Sequence, residues 1–258
     1  MKQSWYEIRD AARGVVEVLL YEEIGSFGVT AKDFIKELKG IKANTINLRV
    51  NSPGGDVFDG VAIYNALKTH SATVNVVVDG LAASSASFIT QAGDTVLMAE
   101  GSTMMIHEPN GLTVGDAAEH SKMTETLNLM GDTIASLYAG RAGGTEAEWR
   151  GRMQAESWYR AQEAVDIKLA DGLVQNAQAR NPAGIFNLSK FHNVPEWLQD
   201  APPAEVASED KVETPQAEID LGALIQENAR LEPAKPSLES LLAKQFAKEA
   251  IEKAVRGG

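Results

Sequence analysis

Between residues 15 and 80 the chain alternates short β-rich runs with helical patterns, and no other feature restricts its fold as much. Val15-Val16-Glu17-Val18-Leu19-Leu20 and Thr73-Val74-Asn75-Val76-Val77-Val78 are dominated by β-branched residues. Thr45-Ile46-Asn47-Leu48-Arg49-Val50 alternates apolar and polar side chains at the period of a strand. The intervening segments change period. Thr30 stands as an N-cap before Phe34, Ile35 and Leu38, and Val57, Val61, Tyr64 and Leu67 recur at helical spacing. Strands separated by helices of about 10–12 residues need right-handed crossovers, which predicts an α/β fold with a mostly parallel sheet. Further short strands are expected at Thr95–Met98 and Thr103–Ile106, and then a long helix from Asp116 to Tyr138 carrying Met123, Leu127, Met130, Ile134 and Leu137.

The 258 residues suffice for one large domain, or for an ordinary one with an appendage. No apolar run nears the length of a membrane span, and Met1-Lys2-Gln3-Ser4-Trp5-Tyr6 lacks the apolar stretch of a signal peptide. The sequence contains no cysteine, which excludes disulfides and thiolate chemistry and fits a cytoplasmic protein. A net charge of −12 argues against a nucleic-acid partner, which would need a basic face. His70, His107, His120 and His192 are scattered without the paired spacing of a zinc site, so no metal is expected.

From about Asn181 the character changes. Residues 196–232 carry ten acids against Lys211 and Arg230, with prolines at 202, 203 and 215 and few large apolar residues before Leu221. A segment so poor in apolar surface does not offset its ordering entropy, so residues 181–236 are expected to be an acidic, mostly disordered linker. Leu238, Leu241, Leu242, Phe246 and Ile251 then fall at roughly helical spacing among five bases and three acids over 233–258. Residues 237–258 therefore read as a short amphipathic helix that needs a partner surface.

Three short motifs carry chemistry. Gly80-Leu81-Ala82-Ala83-Ser84-Ser85-Ala86-Ser87 follows a strand and opens a helix-like Ala86–Ala92, which places Ser84 where unpaired N–H groups and the helix dipole favour developing negative charge. Ser85 and Ser87 are rival nucleophiles. Met105-Ile106-His107-Glu108-Pro109 puts a histidine where a strand is stopped by proline, and neutral imidazole there can take and return the serine proton. Asn51-Ser52-Pro53-Gly54-Gly55 is a turn whose glycines can adopt the positive φ that bares an N–H group; the N–H groups of Gly55 and Ser85 would hold an oxyanion. His70 and His120 read as solvent-facing, and His192 as outside the folded core.

In this order the motifs resemble the Clp-type serine peptidases, in which a Ser-Pro-Gly-Gly turn, a Gly-x-Ala-Ser-x-Gly serine motif and a Met-Ile-His-x-Pro histidine motif follow one another. The resemblance runs from about Val15 to Val174. It implies a Clp/crotonase-type fold of stacked βαβ repeats over residues 1–180, in which the helix from Asp116 is a protruding handle. It also implies a homo-oligomeric ring or double ring acting on protein substrates without a cofactor. The family's third triad member precedes an aromatic segment and Glu-Ala-x-x-x-Gly-Leu-x-Asp, which places it on Glu156 ahead of Trp158, Tyr159, Glu163-Ala164 and Asp171-Gly172-Leu173. Two departures stand out: Glu156 replaces the usual Asp, leaving Asp166 and Asp171 as alternative acids, and Ala86 replaces the glycine after the serine motif.

Residues 181–258 most resemble the appended segment of phage prohead proteases of Clp type, whose substrates are capsid and scaffold proteins inside the procapsid. The alternatives are a bacterial Clp-like peptidase served by an unfoldase and an inactive scaffold of the same fold. Crotonase-type acyl-CoA enzymes have no use for this serine and histidine, and Ser-Lys signal-peptide peptidases lack the histidine motif.

Overall fold

The computed structural model describes residues 14–174 and 186–199, all within the first of two units, Met1–Thr214 and Pro215–Gly258. The expected terminal helix and most of the expected linker lie outside the described residues.

The βαβ alternation builds the sheet. β1 (Val15–Leu20), β2 (Thr45–Ser52), β3 (Thr73–Ala83) and β4 (Thr95–Ala99) run parallel, and β7 (Gly172–Val174) joins β4 in the order β1-β2-β3-β4-β7. α1 (Ala31–Gly40) and α2 (Val57–Lys68) are the crossovers. The expected Thr30 cap is formed, its side chain accepting from the Asp33 N–H. On β2 the alternate residues Ile46, Leu48 and Val50 are buried, β3 is buried at every residue from Val74 on, and these strands share one core with Phe34, Ile63, Leu67, Phe88 and Ile89 of the helices.

β3 runs further than expected. Its pattern predicts a stop at Val78 and a turn at Gly80, but the strand continues to Ala83 because it exchanges neighbours: Asn75–Val78 pair with β4, and Leu81–Ala83 pair with β5 (Thr103–Ile106). On its other side β5 pairs antiparallel with β6 (Ser157–Arg160), a strand with no clear sequence signature. This two-strand extension carries the candidate residues away from the main sheet.

α4 (Ala117–Ala142) starts on an Asp116–Glu119 capping box and has two halves. From Ala117 to Met130 no residue is buried, whereas Gly131, Ile134, Ala135 and Tyr138 pack into the core. The exposed half is the projecting helix expected of the handle. α5 (Glu146–Gln154) packs beside it, with Trp149 and Met153 buried. The short α6 (Ala161–Asp166) follows β6 and buries Ala161 and Ala164.

Residues 186–199 depart from the expectation of a linker. A 3-10 turn at Leu188–Lys190 and the short α7 (Glu196–Gln199) bring Phe191 and Leu198 into buried positions. Apolar residues are dense here, at Phe186, Leu188, Phe191, Val194 and Leu198, and all but the last precede the acidic stretch that begins at Glu196.

Candidate active site

Ser84 lies between the end of β3 and α3 (Ser85–Thr90), with φ 55° and ψ −126°. This backbone conformation is rare for a residue with a side chain and costs on the order of 1–3 kcal/mol. Local bonds hold it: the Ser84 N–H donates to Met105 O (3.0 Å), and the Ser84 carbonyl accepts from the Ser87 N–H and Ser87 Oγ. The elbow turns the side chain away from the helix. Ser84 Oγ makes no capping bond and lies 2.7 Å from His107 Nε2.

The neighbouring serines are removed from the histidine. Ser87 is buried, bonded to Ser84 O and to the Tyr138 hydroxyl at 2.7 Å. Ser85 is 2% exposed, and a Cβ on Gly60 of α2 would sit 2.9 Å from its Cβ, so its side chain faces that helix. Among the described residues its hydroxyl has no partner.

The glycine turn fits against this elbow. Gly54 has φ +77°, and a Cβ there would sit 2.4 Å from Ala83 O, 2.7 Å from Ser84 Cβ and 2.8 Å from Ser85 N. Gly55 (φ +152°) lies against Ile24, where a Cβ would meet Ile24 O at 1.9 Å. The bonds Ile24 N–H to Gly54 O and Asp56 N–H to Ile24 O fix the turn as an extra parallel bridge. Neither the Gly55 N–H nor the Ser85 N–H donates to an acceptor among the described residues. The Ser85 N–H is the first N–H of a helix, which has no acceptor within its own helix.

His107 follows β5. Burial holds its imidazole below the usual histidine range; the Glu156 carboxylate works against that, and Lys190 and His192 add to it. The ring is thus kept neutral, the state that accepts a proton from Ser84. Glu108 beside it is anchored by Arg150, which also donates to Asp132 Oδ1 and Asn128 O on α4.

Glu156 is 7% exposed and sits at φ 47°. Its charge reaches His107, but its hydrogen bonds go elsewhere: Oε2 accepts from the His192 N–H (2.9 Å), and Oε1 from the Asn193 N–H (2.6 Å) and Trp158 Nε1 (3.3 Å). No bond joins it to His107 among the described residues. The alternative acids are engaged in other places. Asp171 accepts from the Val96 N–H and pairs with Arg141, and Asp166 accepts from Gln162 Nε2. Sequence reasoning missed the participation of residues 186–194: His192, expected outside the fold, presents its N–H to Glu156. The apolar cluster ahead of the acidic stretch was the available signal.

A serine hydroxyl on a strained elbow, hydrogen-bonded to a neutral imidazole and followed by the first N–H of a helix, can be activated for attack on a carbonyl. The model of the Clp protease family matches residues 1–177. The chain belongs to the Clp protease family. A relative named as an ATP-dependent Clp protease proteolytic subunit, from Pleurastrum terricola, is 30% identical over 164 residues, covering 63% of this chain and 76% of its own. One of the same name from Ligilactobacillus salivarius is 32% identical over 133 residues, 51% and 68% of the two chains. A solved ClpP1 mutant from Listeria monocytogenes superposes with a TM-score of 0.56 at 26% identity, over 63% of this chain and 93% of that one. Residues 186–199, which reach Glu156 and His107, lie past the end of the family match. Among the described residues no helix is long and apolar enough to cross a membrane.

Proposed function

We propose that the chain is a serine endopeptidase, the proteolytic subunit of a Clp-type assembly. The observation that carries this reading is the 2.7 Å contact between Ser84 Oγ and His107 Nε2 at a left-handed elbow. In the tautomer protonated on Nδ1, His107 accepts the Ser84 proton as Oγ attacks a peptide carbonyl. The N–H groups of Gly55 and Ser85 hold the tetrahedral oxyanion, and the Glu156 charge stabilises the imidazolium. His107 then protonates the leaving amine, and water repeats the cycle to free the serine. Substrates are polypeptides, and an ATP-driven unfoldase delivers them, a division of labour compatible with relatives named as the proteolytic subunits of ATP-dependent proteases. The exposed half of α4 suits contact between copies in a ring or double ring.

A second reading, a prohead protease that cleaves capsid and scaffold proteins and its own tail, is favoured by residues 178–258 beyond the family match and by the acidic composition within them. One experiment addresses both: intact mass after treatment with a fluorophosphonate probe, beside Ser84→Ala. A single adduct on the wild type alone supports the peptidase. Loss of the tail in the same sample favours self-processing, and an intact tail favours the unfoldase-served subunit. Labelling that persists in Ser84→Ala overturns the assignment of the nucleophile, and no adduct on the wild type points to the inactive scaffold.

A further inference from the structure

Leu81 and Ala83 of β3 and Met105 of β5 face away from the main core and form a second apolar cluster, closed by Phe191 with Trp158, Phe186, Leu188 and Val194 packed around it. Leu81, Ala83 and Met105 are fully buried. Ala83 directly precedes Ser84, and Met105 lies two residues before His107, so the cluster forms the floor beneath both groups. Phe191 is its keystone. Its ring meets the His107 ring edge-on at 5.6 Å between centroids and an interplanar angle of 83°, and meets Trp158 in the same manner at 5.5 Å.

The segment bearing Phe191 is tied down on both sides. On one side the His192 and Asn193 N–H groups bind the Glu156 carboxylate, and Asn193 Nδ2 donates to Ala155 O at 3.0 Å. On the other, Lys190 pairs with Glu23 at 3.3 Å, and Glu23 adjoins Ile24, the residue that holds the glycine turn. The strap therefore runs from the acid across the histidine toward the oxyanion side.

In a Ser-His-acid triad the acid fixes the imidazole by a bond to Nδ1. Here the two Glu156 oxygens are occupied by N–H groups of the strap. We propose that Phe191 is a positioning residue, and that residues 186–194 supply through its ring the orientation of His107 that the acid supplies in other triads. Glu156 contributes its charge and serves as the post to which the strap is tied. The part of this inference that concerns catalysis rests on the peptidase reading above, whereas the covering of His107 does not.

The groups that face His107 are Ser84 from the elbow, Glu156 ahead of β6, and Lys190, Phe191 and His192 from the strap; the adjoining Glu108 is neutralised by Arg150. Desolvation is the leading cause of the lowered His107 titration. Removing the Phe191 ring admits water to the imidazole, so the titration moves up toward that of free histidine.

The test is the full-length chain with Phe191→Ala and Phe191→Leu, read by NMR titration of the His107 ring and by the rate of fluorophosphonate labelling. Phe191→Ala is expected to raise the His107 midpoint and to slow labelling roughly tenfold, the size of a lost edge-on aromatic contact. Phe191→Leu keeps the apolar cover, so its midpoint stays near the wild-type value while labelling slows by a few-fold. A folded Phe191→Ala protein with an unmoved midpoint overturns the proposal. If Phe191→Ala does not fold, Phe191→Leu labelling at the wild-type rate overturns it as well. A wild type that never labels, with the midpoint still raised in Phe191→Ala, refutes the peptidase reading and leaves the strap's hold on His107 standing.

Discussion

Gly54→Ala isolates the glycine turn from the rest of the site. At φ +77° an alanine costs about 1–2 kcal/mol in backbone conformation alone. Its Cβ would also lie under 3.0 Å from Ala83 O, Ser84 Cβ and Ser85 N, so the turn or the elbow must move. Overpacking of this kind adds about 1–3 kcal/mol, which brings the total to about 2–5 kcal/mol. For a domain of this size each kcal/mol is worth about 2–4 °C, so the melting temperature should fall by roughly 4–20 °C. The functional effect is larger in proportion. A shift that takes the Gly55 or Ser85 N–H off the oxyanion position removes one donor and slows acylation by about 10²–10³-fold. Circular dichroism melting and the fluorophosphonate labelling rate measure the two effects on one sample. Gly151→Ala is the control: Gly151 lies within α5, where a Cβ would meet nothing inside 4 Å, and alanine there should stabilise by about 0.5–1 kcal/mol without touching labelling. A folded Gly54→Ala protein that labels within about threefold of wild type would refute the placement of the oxyanion donors.

Because burial lowers the His107 titration, the labelling rate should rise with pH with its midpoint below the value of about 6.5 for a free histidine. The same shift bears on stability: the unfolded chain takes up its His107 proton at higher pH than the folded one, so this contribution is intact above about pH 6.5 and is lost as pH falls from there through the folded midpoint. A labelling midpoint above that of free histidine would contradict the buried, neutral imidazole. Asp171→Ala frees the Val96 N–H and removes the carboxylate partner of Arg141, which keeps its bond to Gly93 O, so it should cost about 1–2 kcal/mol in urea unfolding while labelling stays near the wild-type rate. A collapse of labelling in the folded variant would make Asp171, and not Glu156, the acid that serves His107.

Elements whose signals are local were legible in the sequence. The Thr30 cap, the period-two run of β2 and the bounds of β5 need only neighbours along the chain, and they lie where the pattern puts them. The extension of β3 through Gly80 was not legible, because it depends on pairing with a strand some twenty residues on. β6 is four residues long, half-buried, and a strand only because β5 lies beside it. The Ser84–His107 approach was anticipated from motif order, but the bonding of Glu156 was not. A carboxylate on a short turn gives no local indication that its partners lie 36 and 37 residues further on.

Backbone strain ties these observations together. Among the described residues three that are not glycine adopt positive φ, namely Ser84, Glu156 and Lys168. Two of them stand on either side of His107. Each such residue costs on the order of 1–3 kcal/mol, so its surroundings must over-determine it. Ser84 is held by bonds that all fall inside the family match, to Met105 and Ser87. Glu156 is held partly from inside, by its own N–H to Met153 O, and partly from outside, by the N–H groups at 192 and 193. The bonds that hold the elbow thus lie wholly within the stretch that matches the Clp protease family, whereas part of the hold on Glu156 comes from beyond it. The cover over His107 and the outer half of the hold on Glu156 come from one strap, and a change at Phe191 should be felt at both.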